Sequence, residues 1–147
     1  MNGMEMIKEH ISFHHLGLAV RDFAAAVKFY SALGYKIGET VYDEEQMVEL
    51  VYCAHQNQPD VELIKPKNGS CSVGNILNKY KETIYHVCYR VNNVEKILEI
   101  LKQKFSIICV SRPKSAALFG GNPVSFYYIK DVGIIEFIED KSYKGEQ

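Results

Sequence analysis

The feature that most restricts this chain is a pattern written twice. Phe13-His14-His15-Leu16-Gly17-Leu18-Ala19-Val20 and Ile84-Tyr85-His86-Val87-Cys88-Tyr89-Arg90-Val91 both read as short strands, because alternate positions are apolar. Leu16, Leu18 and Val20 share one side of the first, with His15, Gly17 and Ala19 on the other. In the second, Val87, Tyr89 and Val91 oppose His86, Cys88 and Arg90. Each histidine stands away from its strand's apolar stripe, five residues before the strand-ending valine.

The same series of elements follows each of these strands. Asp22 is placed to cap a helix whose stripe is Phe23, Ala26, Val27, Tyr30 and Leu33, and Gly34 to end it. Strands are expected over 35–41, 46–53 and 61–64, the last stopped by Pro66. In the second half Asn92-Asn93 stands where Arg21-Asp22 stood, and Val94, Ile97, Leu98 and Leu101 form the helical stripe. Strands are expected over 105–110, 124–129 and 133–138, with a Gly/Pro/Ser-containing loop over 111–122. His15 lies 47 residues before Glu62, and His86 lies 50 before Glu136. The pattern is therefore a duplication of strand–helix–strand–strand–strand, an α+β arrangement of two tandem βαβββ modules. Module one covers about 12–66 and module two about 84–139. A linker over 67–83 carries a turn at Asn68-Gly69-Ser70 and a short helix at 73–80. Residues 1–10 read as a polar, partly frayed leader from which Met4, Met6 and Ile7 dock on the body.

At 147 residues the chain suits one compact domain, or two small fused modules, and is too short for two cores of usual size. A net charge of −1 with no basic block gives no support for nucleic acid or membrane-surface binding, though local basic pockets for an anionic small molecule are compatible with it. No apolar run reaches membrane-spanning length, and Met1 to His10 does not read as a signal peptide. Cys53, Cys71, Cys88 and Cys109 form no CxxC pair, which points to reduced thiols in a cytoplasmic protein.

A lone histidine on a strand is usually structural. The glutamates change the balance, because Glu62 sits in Val61-Glu62-Leu63-Ile64 and Glu136 in Ile134-Ile135-Glu136-Phe137-Ile138. A carboxylate in so apolar a strand is on the solvent face, paired, or on a metal, since burying it alone is costly. If Leu63 and Phe137 face the helices, Glu62 and Glu136 face the side of His15 and His86. Two imidazoles and two carboxylates suit a divalent transition metal, with water or substrate in the remaining positions. The competing reading is two glutamates in solvent and two packed histidines.

His15-Leu16-Gly17-Leu18-Ala19-Val20 resembles the opening strand of the vicinal oxygen chelate superfamily, which includes glyoxalases, bleomycin resistance proteins and dioxygenases. The similarity runs from Phe13 to Glu139. Within that superfamily the chain most resembles methylmalonyl-CoA epimerases, in Val61-Glu62-Leu63-Ile64-Lys65-Pro66, Tyr85 to Val91, Gly120-Gly121-Asn122 and Gly133-Ile134-Ile135-Glu136-Phe137. The resemblance implies paired modules forming a cupped mixed sheet with helices outside. It implies His15, Glu62, His86 and Glu136 as ligands of one divalent ion (Co, Ni, Zn, Mn or Fe), and homodimers are common in the family.

The implied reaction moves a proton at the carbon beside a thioester carbonyl. Glu136 is one proton carrier, and Glu49, in Glu44-Glu45-Gln46-Met47-Val48-Glu49, is the second by a match one residue short; otherwise it is an exposed strand glutamate. Arg90 is either a clamp for a substrate carboxylate or phosphate or a solvated strand end. Gly120, Gly121 and Asn122 either offer amides to an anion or form a hairpin loop. Lys114 and Lys130 are candidate contacts to CoA phosphates, against a default of surface lysines.

A glyoxalase I-like lyase acting on a glutathione hemithioacetal would use the same ligands. Two departures disfavour it. Ala19 stands where those enzymes typically carry an arginine, and Lys130-Asp131-Val132-Gly133 replaces their Asp-Pro-Asp-Gly turn. A non-catalytic small-molecule binding module is the third reading, disfavoured because such members usually lose the ligands.

Overall fold

The computed structural model describes residues 3–68 and 71–145, without the side chain of Met6, so Gly69, Ser70 and the docking of Met6 lie outside the described residues. The fold is α+β, with two βαβββ modules in tandem. It divides into two compact units, one spanning His15–Tyr85 and one combining the residues up to His14 with those from His86 onward.

The His15 unit contains most of β1 (Ile11–Ala19), then α2 (Phe23–Ala32), β2 (Lys36–Asp43), β3 (Val48–Ala54), β4 (Val61–Pro66) and α3 (Ser72–Tyr80). Its strands lie in the order β2-β3-β4-β1; β4 runs parallel to β1 and antiparallel to β3. A strand–helix–strand crossover is what allows a parallel pair, since a tight hairpin can join only antiparallel neighbours. One face of this sheet packs Val20, Tyr35, Val51, Cys53, Val61 and Leu63 against Phe23, Ala26, Val27 and Tyr30 of α2. Asp22 begins the helix by accepting the Phe23 N–H at 2.9 Å, and Gly34 ends it at a positive φ of 92°.

The His86 unit repeats the plan with β5 (Thr83–Val91, beginning in the other unit), α4 (Val94–Leu101), β6 (Ile107–Ser115), β7 (Pro123–Ile129) and β8 (Gly133–Glu139). Its order is β5-β8-β7-β6, with β5 and β8 parallel. Val91, Val94, Ile97, Tyr127 and Phe137 form the core beneath α4. Asn93 caps α4 by accepting the Lys96 N–H at 3.0 Å, and the Glu139 carboxylate accepts the Val94 N–H at 2.9 Å. Leu63 and Phe137 therefore do face the helices, as the strand pattern required.

Two expectations are corrected. The leader is a helix, α1 (Gly3–His10), and Ile7 and Ile11 join the core beneath α4. Met4 and Ile7 stand one helical turn apart, and a helix this short takes its stability from packing rather than propensity. The strand expected to end at 110 continues to Ser115 through Pro113. It can do so because its one ladder partner in the sheet is β7, with register shifts between Cys109 and Lys114, so a missing N–H is tolerated. The loop that remains is a 3₁₀ turn at Ala117–Phe119, reversed by Gly120 and Gly121 at φ 65° and 83°.

Candidate metal centre

Each unit buries one histidine and one glutamate side by side. In the His15 unit, β1 and β4 pair with Gly17 opposite Glu62, and His15 Nε2 lies 3.6 Å from Glu62 Oε1. In the His86 unit, β5 and β8 pair with Cys88 opposite Glu136, and His86 Nε2 lies 3.2 Å from Glu136 Oε1. Parallel pairing of the first and last strands of a module is what brings a residue on each to the same face.

Exposure decides between the two readings of the glutamates. His15 is 0% exposed, His86 2%, Glu62 4% and Glu136 2%, so neither carboxylate is on a solvent face. The spacing of His86 and Glu136 also suits ligation, and that of His15 and Glu62 is slightly wider. Two donors about 2.1 Å from one ion, at angles of about 90–110°, stand roughly 3.0–3.4 Å apart. Each buried pair, His15 with Glu62 and His86 with Glu136, offers donor types that suit a divalent metal ion and leave its identity open.

An aromatic ring backs each histidine. Tyr52 is the β3 residue directly across from Glu62, and its ring meets His15 edge-on at 5.7 Å and 80°. Phe126 is the β7 residue directly across from Glu136, and its ring meets His86 at 5.2 Å and 81°. Sequence reading missed both. Their one signal was an aromatic inside a strand, which acquires meaning only with the strand register.

The other expected site residues divide. Arg90 shares the face of His86 and Glu136, two positions on from Cys88, and its guanidinium lies 4.5 Å over the Tyr143 ring. Nearby, Asp140 is held below the ordinary carboxylate range, first by hydrogen bonding from Ser142 and more weakly by Arg90. Glu49 is placed on the face of β3 opposite Tyr52. In β3 it lies opposite Lys65, on the side of Val51, Cys53 and Leu63 that packs on α2, and its carboxylate pairs with the Lys65 ammonium at 3.2 Å. Val48, Leu50 and Tyr52 occupy the Glu62 side of β3.

The Gly120-Gly121-Asn122 segment joins β6 to β7. The Gly121 N–H donates to Ala116 O at 2.9 Å and the Asn122 N–H to Phe119 O at 3.2 Å, so these amides close their own turn. Lys114 pairs with Val124 in the β6–β7 ladder, and Lys130 is exposed at the β7–β8 turn.

Residues 14–126 match the family model described as the Glyoxalase/Bleomycin resistance protein/Dioxygenase superfamily. The chain belongs to that superfamily. No curated protein sequence matches it. Solved structures of the same fold include methylmalonyl-CoA epimerase from Mycobacterium tuberculosis, with 20% identity, a TM-score of 0.74, and 86% of each chain covered. A Streptomyces coelicolor methylmalonyl-CoA epimerase variant in complex with 2-nitronate-propionyl-CoA gives 21% identity and a TM-score of 0.77, covering 93% of this chain and 99% of that one. A hypothetical protein from Bacillus halodurans gives 23% identity and a TM-score of 0.76 over the same shares. Membership places this chain's two His/Glu pairs in a superfamily built from paired βαβββ modules. No helix among the described residues is long and apolar enough to cross a membrane.

Proposed function

We propose that the chain is a metal-dependent isomerase that moves a proton at the carbon beside a thioester carbonyl, with His15, Glu62, His86 and Glu136 holding one divalent ion. The carrying observation is a buried His/Glu pair in each module, with its nearest donor atoms 3.6 Å and 3.2 Å apart. Bound there, the ion would polarise the carbonyl oxygen and stabilise negative charge developing on it. Glu136 would take the proton from one face of that carbon, and reprotonation of the planar carbon from the opposite face by solvent would complete the inversion. Glu62 is a ligand only. Phe126 opposite it and Ile138 beyond give Glu136 apolar walls.

A CoA thioester with an acidic acyl group, such as methylmalonyl-CoA, is the proposed substrate. The structural likeness to epimerases supports it, and so does Arg90 on the Glu136 face, whose guanidinium suits a carboxylate or phosphate. A cytoplasmic homodimer is the proposed setting.

The test is a paired assay on metal-loaded protein. About one divalent ion per chain after cobalt or nickel loading is expected, with deuterium from solvent entering methylmalonyl-CoA by mass spectrometry. Absence of bound metal would remove the proposal. Conversion of methylglyoxal plus glutathione to a thioester, without deuterium exchange, would replace it with the lyase reading.

A further inference from the structure

We infer that Tyr52, tethered by its hydroxyl to Asp60, is a positioning residue that sets the orientation of the His15 imidazole. The inference deepens the proposed metal reading and rests on it for its functional meaning, though its geometry does not.

Three contacts converge on Asp60. The Tyr52 hydroxyl donates to Asp60 Oδ2 at 2.9 Å, and the His55 N–H donates to Asp60 Oδ1 at 3.0 Å. The backbone carbonyl of Asp60 accepts the N–H of Leu16, the residue after His15, at 3.0 Å. One residue thus fixes both the main chain beside His15 and the ring packed against the His15 side chain. A tyrosine ring on a strand can swing about two side-chain torsions; register fixes its Cβ opposite Glu62, and the charge-assisted bond to Asp60 fixes its far end. With both ends held, the ring is a fixed wall. An imidazole packed edge-on against it has its rotation restricted before any ion arrives.

The second module supplies the internal control. Phe126 occupies the equivalent register position, opposite Glu136 and edge-on to His86, but has no polar group to anchor. Beyond the glutamate beside each histidine, the aromatic against His86 acts by packing, and the one against His15 by packing plus a tether. Groups that orient a histidine without touching the metal typically alter affinity about 10–100-fold when removed.

The experiment uses the full chain with Tyr52→Phe, which keeps the ring and removes the tether, and Tyr52→Leu, which removes both. Side-chain nitrogen–proton NMR of His15 is recorded in metal-free protein. Cobalt(II) affinity and the cobalt visible spectrum are measured on the same samples, with the urea midpoint as the folding control.

Tyr52→Phe is expected to shift or broaden the His15 ring signals, leave those of His86 in place, and weaken cobalt binding by about 3–10-fold. Tyr52→Leu should reach about 10–100-fold with an altered cobalt spectrum. His15 signals unmoved in Tyr52→Phe would overturn the inference, as would cobalt binding unchanged in both variants. If the unmodified protein takes up no cobalt, the proposed function falls, and the His15 signals alone then decide the tether: a shift supports it and no shift removes it.

Discussion

The two modules share a plan and differ in what holds it. Both put histidine on the first strand, glutamate on the last, and an aromatic across from the glutamate. In the His15 unit the aromatic is tied into a polar network through Asp60. In the His86 unit the aromatic is a phenylalanine, and the polar strand-end contacts lie instead at Glu139, which caps α4, and at Arg90, which rests on Tyr143. Duplication thus preserves the elements that a ligand set needs, namely strand direction and register. The means of fixing them are free to diverge, because packing and hydrogen bonding are interchangeable ways of restricting a side chain.

The comparison breaks most readily at the carboxylates. At saturating cobalt, Glu136→Gln is expected to lower deuterium exchange by about 10²–10⁴-fold, since a carboxamide cannot carry the proton. Glu62→Gln should lose much less rate and act mainly through metal affinity. Equal loss of rate in both, at equal metal content, would show that the halves share the proton chemistry.

The cores come next. Phe137→Ala should cost about 3–5 kcal/mol and Leu63→Ala about 2–5 kcal/mol, read as a fall in the urea midpoint. Each side chain is buried beneath its module's helix, so a markedly larger loss for one identifies the module that limits stability.

A smaller effect separates the units by pH. Burial pushes the Cys53 thiol of the His15 unit from 9.0 up to about 11. A folded pKa raised above the unfolded one gives stability that is full below pH 9 and lost as pH rises toward 11. The Asp140 carboxyl of the His86 unit is lowered instead, so its contribution is present above about pH 3.9 and lost as pH falls through the folded value. Cys53→Ala should flatten the alkaline limb of a stability–pH curve and leave the acid limb unchanged; Asp140→Asn should do the reverse.

Glu49→Gln is expected to do least. Exchange should stay within about twofold, and stability should change by less than about 1 kcal/mol, because the ion pair with Lys65 is partly exposed. Loss of exchange with metal retained would return Glu49 to the reaction and contradict its placement on the helix side.

Much of this was readable from residues alone, for a definite reason. Alternation of period two assigns faces without knowledge of partners, so Leu63 and Phe137 toward the helices and the histidines away from them follow directly. Glu49 shows how much a single-residue offset matters. Its motif match was one residue short, and in a strand a shift of one residue moves a side chain to the opposite face. Pro113 shows where the method fails, since whether a proline ends a strand depends on how many neighbours that strand has. The N-terminal helix shows a second failure: its apolar residues Met4 and Ile7 are too sparse to declare a helix without α4 to pack on.

What the sequence determined by itself was the set of chemical groups and the side of each strand that carries them: two histidines, two glutamates, and their duplication. What only the tertiary structure decided was the pairing across strands. Glu62 meets Tyr52 and Glu136 meets Phe126 through ladders whose register no single strand contains. The Tyr52–Asp60–Leu16 linkage depends on three segments brought together by that register. Faces follow from local backbone geometry, whereas neighbours follow from hydrogen bonding between segments far apart in the chain.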